Sequence, residues 1–266
     1  GDLIILDKIN HASIIDASLL SGARIKTYRH RDMEDLENVL RQTSQYERRL
    51  LVTESVFSME GDIAPLPDIS RLCRSHNVLM MIDEAHATGV LGERGTGALE
   101  HFHMKTGSVD IVMGTLSKAL GSQGGFVCAD QVMIDYLINK SRPFIYTTAL
   151  SPASCASALK AVEIIKHSSV LKERLLERHS YLLRAMLSVG LRPTSDEFPI
   201  CSVITGDDAN TVKISNGLLD AGIFAPAIRP PTVPEGQGRI RLSLMASHTR
   251  LQIDQTVDVL ARLINI

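Results

Sequence analysis

Lys118 sits in the run GTLSKALGSQGG. Small residues and glycines on both sides let a flat ligand approach the backbone closely. A lysine kept neutral by burial or by a nearby cation attacks aldehydes. A solvated lysine in a glycine-rich turn fits the same stretch. Asp83 closes an apolar run in MMIDEAHATGVLG. An ionised carboxylate there needs a partner, whether a protonated ring nitrogen, a helix N-terminus or a buried cation. His86, three residues on, can reach the other side of the same ring or be a satisfied histidine. A metal reading of Asp83 with His86 lacks a further Cys or His at ligand spacing. His11 in DKINHASII can stack, donate a hydrogen bond or simply open a helix. Ser58 in TESVFSMEGDIAPL precedes an acidic turn and, taken alone, suits a turn or cap. Arg239 and Arg241 are expected to point to opposite faces of one strand. One of them would then clamp a carboxylate bidentately, and the other would be solvated.

Four apolar segments must position these groups, and each is followed at once by polar residues. After residues 3–6 come Asp7, Asn10 and His11. After 50–53 come Glu54 and Ser58, and after 78–82 come Asp83, Glu84 and His86. After 109–113 come Thr115, Ser117 and Lys118. Segments 50–53 and 78–82 are apolar enough to be buried on both faces, as parallel strands are. Strands are also expected at 24–28 and 125–128, and helices at 11–20 and 32–40. Strands alternating with helices imply an α/β unit with a mostly parallel sheet. In such sheets ligands bind beyond the carboxyl ends of the strands, so these distant residues can meet in one crevice.

The later part of the chain reads differently. Pro152 suits the first turn of a long helix, with helical pattern continuing to about Met186 and ending at Gly190 and Pro193. A strand at 200–204, a helix at 211–219, a strand at 239–244 and a final helix follow. This is a smaller α+β unit. The reading is a large domain over 1–165 and a small carboxy-terminal domain over 166–266.

Bulk properties set the class. The 266 residues are 44% hydrophobic and 22% charged, with a net charge of −2, an ordinary globular composition. No basic stripe marks a nucleic-acid binder. The longest wholly apolar run is too short to span a membrane. Cys73, Cys128, Cys155 and Cys201 have neither metal nor redox spacing, so reduced, mostly buried thiols of a cytoplasmic protein are expected. The first position leads straight into a strand with no Met before it, which reads as a fragment.

Together the stretches NHASI, TESVFSMEGD, IDEAHATGVLGERG, GTLSKALG, IYTTALSP and RIRLS, in that order along the whole chain, resemble the α-oxoamine synthase family. The resemblance implies the aspartate-aminotransferase-like fold (fold type I) and pyridoxal phosphate (PLP) as cofactor. It implies an acyltransferase that joins an amino acid to an acyl thioester with loss of carbon dioxide. Lys118 then matches the lysine that carries the cofactor, and Asp83 the carboxylate on its ring nitrogen. His86 and Ser58 match residues bonding the ring hydroxyl, and His11 the histidine stacked on the ring. Thr115 matches a phosphate contact. Thr148 matches a residue reaching the phosphate of a partner subunit, which implies a homodimer. Arg241 matches the arginine that holds the amino-acid carboxylate.

The loop AIRPPTVPEGQGRIRLS, residues 227–243, is most similar to the family's biotin-pathway branch. That branch joins L-alanine to pimeloyl-CoA or a pimeloyl carrier-protein thioester. Glycine C-acetyltransferase is the alternative, and a non-catalytic partner subunit a second one. Members of the family carry a further stretch ahead of the matched region, with a turn at a helix start that cradles the cofactor phosphate.

Overall fold

The computed structural model describes residues 1–264. It divides into two compact units, the first of residues 1–57 and 64–169, the second of 58–63 and 170–266. The sequence-expected junction near 165 falls inside a helix, and the units part after Ser169.

In the first unit, β1 (Leu3–Asp7), α1 (Ala12–Leu20), β2 (Arg24–Tyr28), α2 (Met33–Gln42), β3 (Arg49–Glu54), α3 (Leu66–Ser75), β4 (Leu79–Asp83) and α4 (Ala98–His101) lead to β5 (Ile111–Thr115) and β6 (Gly125–Ala129). Helices α5 (Gln131–Lys140), α6 (Arg142–Ile145) and α7 (Pro152–His167) follow. The strands form one sheet in the order β2-β1-β3-β4-β5-β6. Neighbours from β2 to β5 are parallel, and β6 pairs with β5 antiparallel. The α/β class and the mostly parallel sheet therefore match expectation.

Successive side chains of a strand take opposite faces, and the burial follows. Leu6 and Val52 pack with Ile14 of α1 on one face, with Ile4, Leu50 and Met81 beside them. The alternate residues Leu3, Ile5, Leu51 and Met80 are buried too. Helix α2 is capped by Asp32, whose carboxylate accepts the Asp35 N–H at 2.9 Å, and it buries Leu36 and Leu40. Each fully buried Leu or Ile contributes about 1.5–3 kcal/mol, which makes this sheet a stiff platform for its edge.

In the second unit, α8 (Val170–Ser188) and α9 (Asp208–Asp220) pack with α10 (Arg250–Ile264) and a three-stranded antiparallel sheet. The sheet comprises β7 (Ile200–Gly206), β8 (Ala227–Ile228) and β9 (Gly238–Ser243), in the order β7-β9-β8. Its core includes Leu182, Met186, Ile214, Leu218, Ile240, Val257 and Leu260.

Two expectations need correction. The single helix from Pro152 to about Met186 is two helices. Ser168 is extended (φ −150°, ψ 125°) and its N–H caps α7 on the Ile164 carbonyl; serine favours such ends over helix interiors. The cysteines are all free, but only Cys73 and Cys201 are buried, while Cys128 and Cys155 are exposed.

Candidate active site

Asp7, Glu54, Asp83 and Thr115, expected just beyond their strands, are each the last residue of one. Because β1, β3, β4 and β5 are parallel, all four lie on one edge of the sheet. Glu54 and Asp83 are register partners on adjacent strands.

Asp83 is 7% exposed. One of its oxygens accepts the Ala85 N–H at 2.7 Å. Burial raises its pKa, and the Ala85 N–H, Lys118 and His11 pull it back towards the ionised form. Lys118 is therefore an electrostatic neighbour of Asp83. It stands, exposed, in the connection from β5 to β6. That connection is closed by the Gly121 N–H on the Lys118 carbonyl at 2.9 Å and the Ser122 N–H on Leu116 at 2.7 Å. Thr115 Oγ1 braces its start, meeting Ser117 Oγ at 2.6 Å and accepting the Ser117 N–H at 3.1 Å.

His11 is the N-cap of α1, and its Nδ1 accepts the Ser13 N–H at 3.3 Å. The His11 main-chain N–H donates to Glu54 Oε1 at 2.5 Å. Asn10 ties the same loop to the sheet, its Nδ2 donating to the Val52 carbonyl at 2.8 Å. Asp7 is committed elsewhere: it pairs with His30 Nδ1 at 3.1 Å and accepts the Ile9 and Arg31 N–H groups.

His86 lies half-buried in the loop after β4. Two features shape that loop. Glu84, 3% exposed, accepts the Ala98 N–H on both oxygens, at 3.1 and 3.0 Å. Burial, reinforced by Asp83, pushes its pKa up to about 7. Gly89 (φ +84°) presses so close to the Lys118 loop that a Cβ would stand 2.7 Å from the Ala119 methyl. The first unit thus brings together His11, Asp83 and Lys118, with His86 on the loop after β4 and Thr115 at the end of β5. Thr148 is exposed, between α6 and α7.

Ser58 and Arg241 belong to the second unit, where they meet each other. Arg241 Nη1 donates to the Ser58 carbonyl at 3.5 Å. Arg239 donates to the Met59 carbonyl at 3.2 Å and pairs with Glu60 at 3.1 Å. The expectation of opposite faces is therefore overturned. Residues two apart on a strand share a face, and both arginines reach the 58–60 turn. Nor is Arg239 solvated, at 4% exposure. What separates them is pairing. Arg241 has a buried Nε without a hydrogen-bond partner among the described residues, its pKa is lowered by burial, and it lines a cavity of about 620 Å³ with Pro226, Ser243 and His248.

The sequence put Glu54 and Glu84 at strand ends on this edge but gave them no role in the site. A signal existed for both, since an acid at the end of a largely apolar strand on the ligand-binding edge is costly to bury unless it is paired or hydrogen-bonded.

Comparison with known proteins identifies the family and the fold. The family model described as "Aminotransferase class I and II" matches residues 1–260. The chain is 44% identical over 261 residues to 8-amino-7-oxononanoate synthase 1 of Bacillus subtilis, covering 98% of this chain and 66% of the relative. It spans about two thirds of the length of the curated relatives it matches. Among solved structures, a serine palmitoyltransferase of S. paucimobilis with bound PLP and myriocin superposes with a TM-score of 0.94 at 31% identity, over 99% of this chain and 66% of that one. The 8-amino-7-oxononanoate synthase of Francisella tularensis superposes with a TM-score of 0.87 at 29% identity, over 100% of this chain and 76% of that one. This chain belongs to the aminotransferase class I and II family, with the fold type I architecture, and within it to the α-oxoamine synthases.

Proposed function

We propose that the chain carries the chemistry of an 8-amino-7-oxononanoate synthase. The reaction is the PLP-dependent joining of L-alanine to pimeloyl-CoA, or to a pimeloyl carrier-protein thioester, with release of carbon dioxide and the free thiol. The observation that carries the reading is Asp83, a buried carboxylate at a strand end with Lys118 and His11 as its electrostatic neighbours. A carboxylate held out of water in this way fits a protonated ring nitrogen, and Lys118 beside it fits the aldehyde end of the same ring.

Bound PLP supplies an electron-withdrawing ring that takes up the charge left when the alanine α-carbon loses its proton. Asp83 would hold the ring nitrogen protonated. Lys118 Nζ would carry the cofactor and, once released, remove the α-proton as general base. His11 would lie on the ring face, and His86 and Ser58 would hold the ring hydroxyl. Thr115 would meet the phosphate, and Thr148 that of a partner subunit in a homodimer. Arg241 supports a carboxylate-holding role, because it has donors to spare where Arg239 is already paired. The assignment to the biotin-pathway branch rests on the relatives' identity and on the stretch of residues 227–243, whose Pro230 and Pro231 stiffen the backbone.

The test is thiol and carbon dioxide release by the full-length protein with PLP. L-Alanine with pimeloyl-CoA should give a kcat/KM at least about tenfold above glycine with acetyl-CoA. Equal or better turnover of the second pair would favour glycine C-acetyltransferase. No turnover of either, with PLP unbound, would favour a non-catalytic subunit.

A further inference from the structure

Glu54 is a buried acid on the site edge to which the reading above gives no task. It is 4% exposed, and its Oε1 accepts the His11 N–H. It stands beside Asp83 in register, at the ends of adjacent parallel strands. The charged groups acting on it are Asp83 on β4, Lys118 in the β5–β6 connection and Asp7 at the end of β1, and His11 acts through its main-chain N–H.

We propose that Glu54 is a positioning residue that works as the neutral acid, fixing His11 over the site while leaving the local negative charge to Asp83. This rests on the PLP reading for what His11 and Asp83 do, but not for the state of Glu54 itself.

Geometry carries the argument. Two carboxylates side by side at a buried sheet edge cannot both be ionised cheaply, and environment decides which keeps the proton. Asp83 has an amide donor and a stated use for its charge. Glu54 has an amide donor whose other end is the capping residue of α1, so its carbonyl oxygen suffices as acceptor and no charge is required. Burial, with Asp83 and Asp7 adding to it and the His11 N–H and Lys118 opposing, takes the Glu54 pKa up to about 8. His11 is then held twice, by Glu54 at its main chain and by Ser13 at its ring. A rigid hold at both points sets where the imidazole sits, and misplacing such a group by about 1 Å can cost 10²-fold in rate.

Two measurements on the full-length protein test this. The first needs no cofactor: carboxyl-carbon NMR of the apoprotein labelled at glutamate, with Glu54 assigned by its disappearance in Glu54→Gln. Should that variant not fold, Glu54→Asp supplies the assignment. A Glu54 carboxyl still protonated near neutral pH is expected, and one titrating in the ordinary carboxylate range overturns the proposal whatever the enzyme's substrate. The second is a rescue. Glu54→Ala should lower kcat about 10²-fold with little change in the alanine KM, and Glu54→Gln, which keeps the acceptor without the charge, should recover most of that loss. A glutamine variant as poor as the alanine variant, or an alanine variant as good as wild type, would refute it. Failure of PLP to bind any variant, with Glu54 still protonated in the apoprotein, would count against the functional reading alone.

Discussion

Glu54 and Asp83 occupy the same register position on adjacent parallel strands, both all but sealed from solvent, with different amide donors. Glu54 takes the N–H of His11 and Asp83 that of Ala85. Two acids of one edge are thereby given different surroundings.

Stability should depend on pH through Glu54 and Glu84. Both have pKa values raised from near 4.5, to about 8 and about 7, chiefly by burial. In that interval the folded chain binds protons that the unfolded chain has lost, so stability falls as pH rises. The contribution is fully present below about pH 4.5 and is lost through about pH 7 to 8. Glu100 works in the opposite sense, but its pKa is lowered to about 2, so its window ends below the other two. Thermal melts of the full-length apoprotein should show Tm declining across the upper window. Glu54→Gln and Glu84→Gln should each flatten the decline, and an unchanged slope in both would contradict the assignment.

The two arginines of β9 should separate stability from binding. Arg239 has a 5% exposed side chain paired with Glu60, itself 29% exposed. Truncating one member of a buried pair costs about 3–5 kcal/mol, and the wetter partner places Arg239→Ala at or below the low end. Arg241→Ala, which breaks no ion pair among the described residues, should instead mainly raise the alanine KM. Denaturant melts and initial rates on both variants check this. A KM effect from Arg239→Ala with unchanged stability would reverse the roles.

Gly97→Ala should destabilise the loop that carries His86. Gly97 has φ +119°, and a Cβ there would lie 2.3 Å from Glu84 Oε2. Strain of this kind costs about 1–3 kcal/mol, and the clash adds displacement of the Glu84 carboxylate from the Ala98 N–H. The expected result is a lowered Tm together with weaker PLP binding. A Tm within error of wild type would show that the loop yields without cost.

Much of this site was legible because parallel strands bring their carboxyl ends to one edge. An apolar run followed by an acid, a histidine or a lysine therefore located Asp83, His86, His11 and Lys118 before any coordinates. The carboxyl ends shifted by one residue at β3 and β4 and by two at β5, since backbone pairing runs on through Glu54, Asp83 and Thr115. What was not legible depended on packing. Pairing with Glu60 buries Arg239, and nothing in RIRLS reports that partner. The break at Ser168 was hidden because both flanking segments keep helical character. The task of Glu54 was hidden because its contact is to a main-chain N–H forty-three residues away.

The central claim is that Lys118, beside Asp83, is the residue that carries PLP. Borohydride reduction of the PLP-loaded full-length protein, followed by proteolysis and mass spectrometry, tests it directly. The pyridoxyl mass should appear on the peptide containing Lys118. Lys118→Ala should lose that label and at least about 10³-fold in kcat, with its circular dichroism unchanged. A label on another lysine, or near wild-type turnover by the Lys118→Ala variant, would contradict the account.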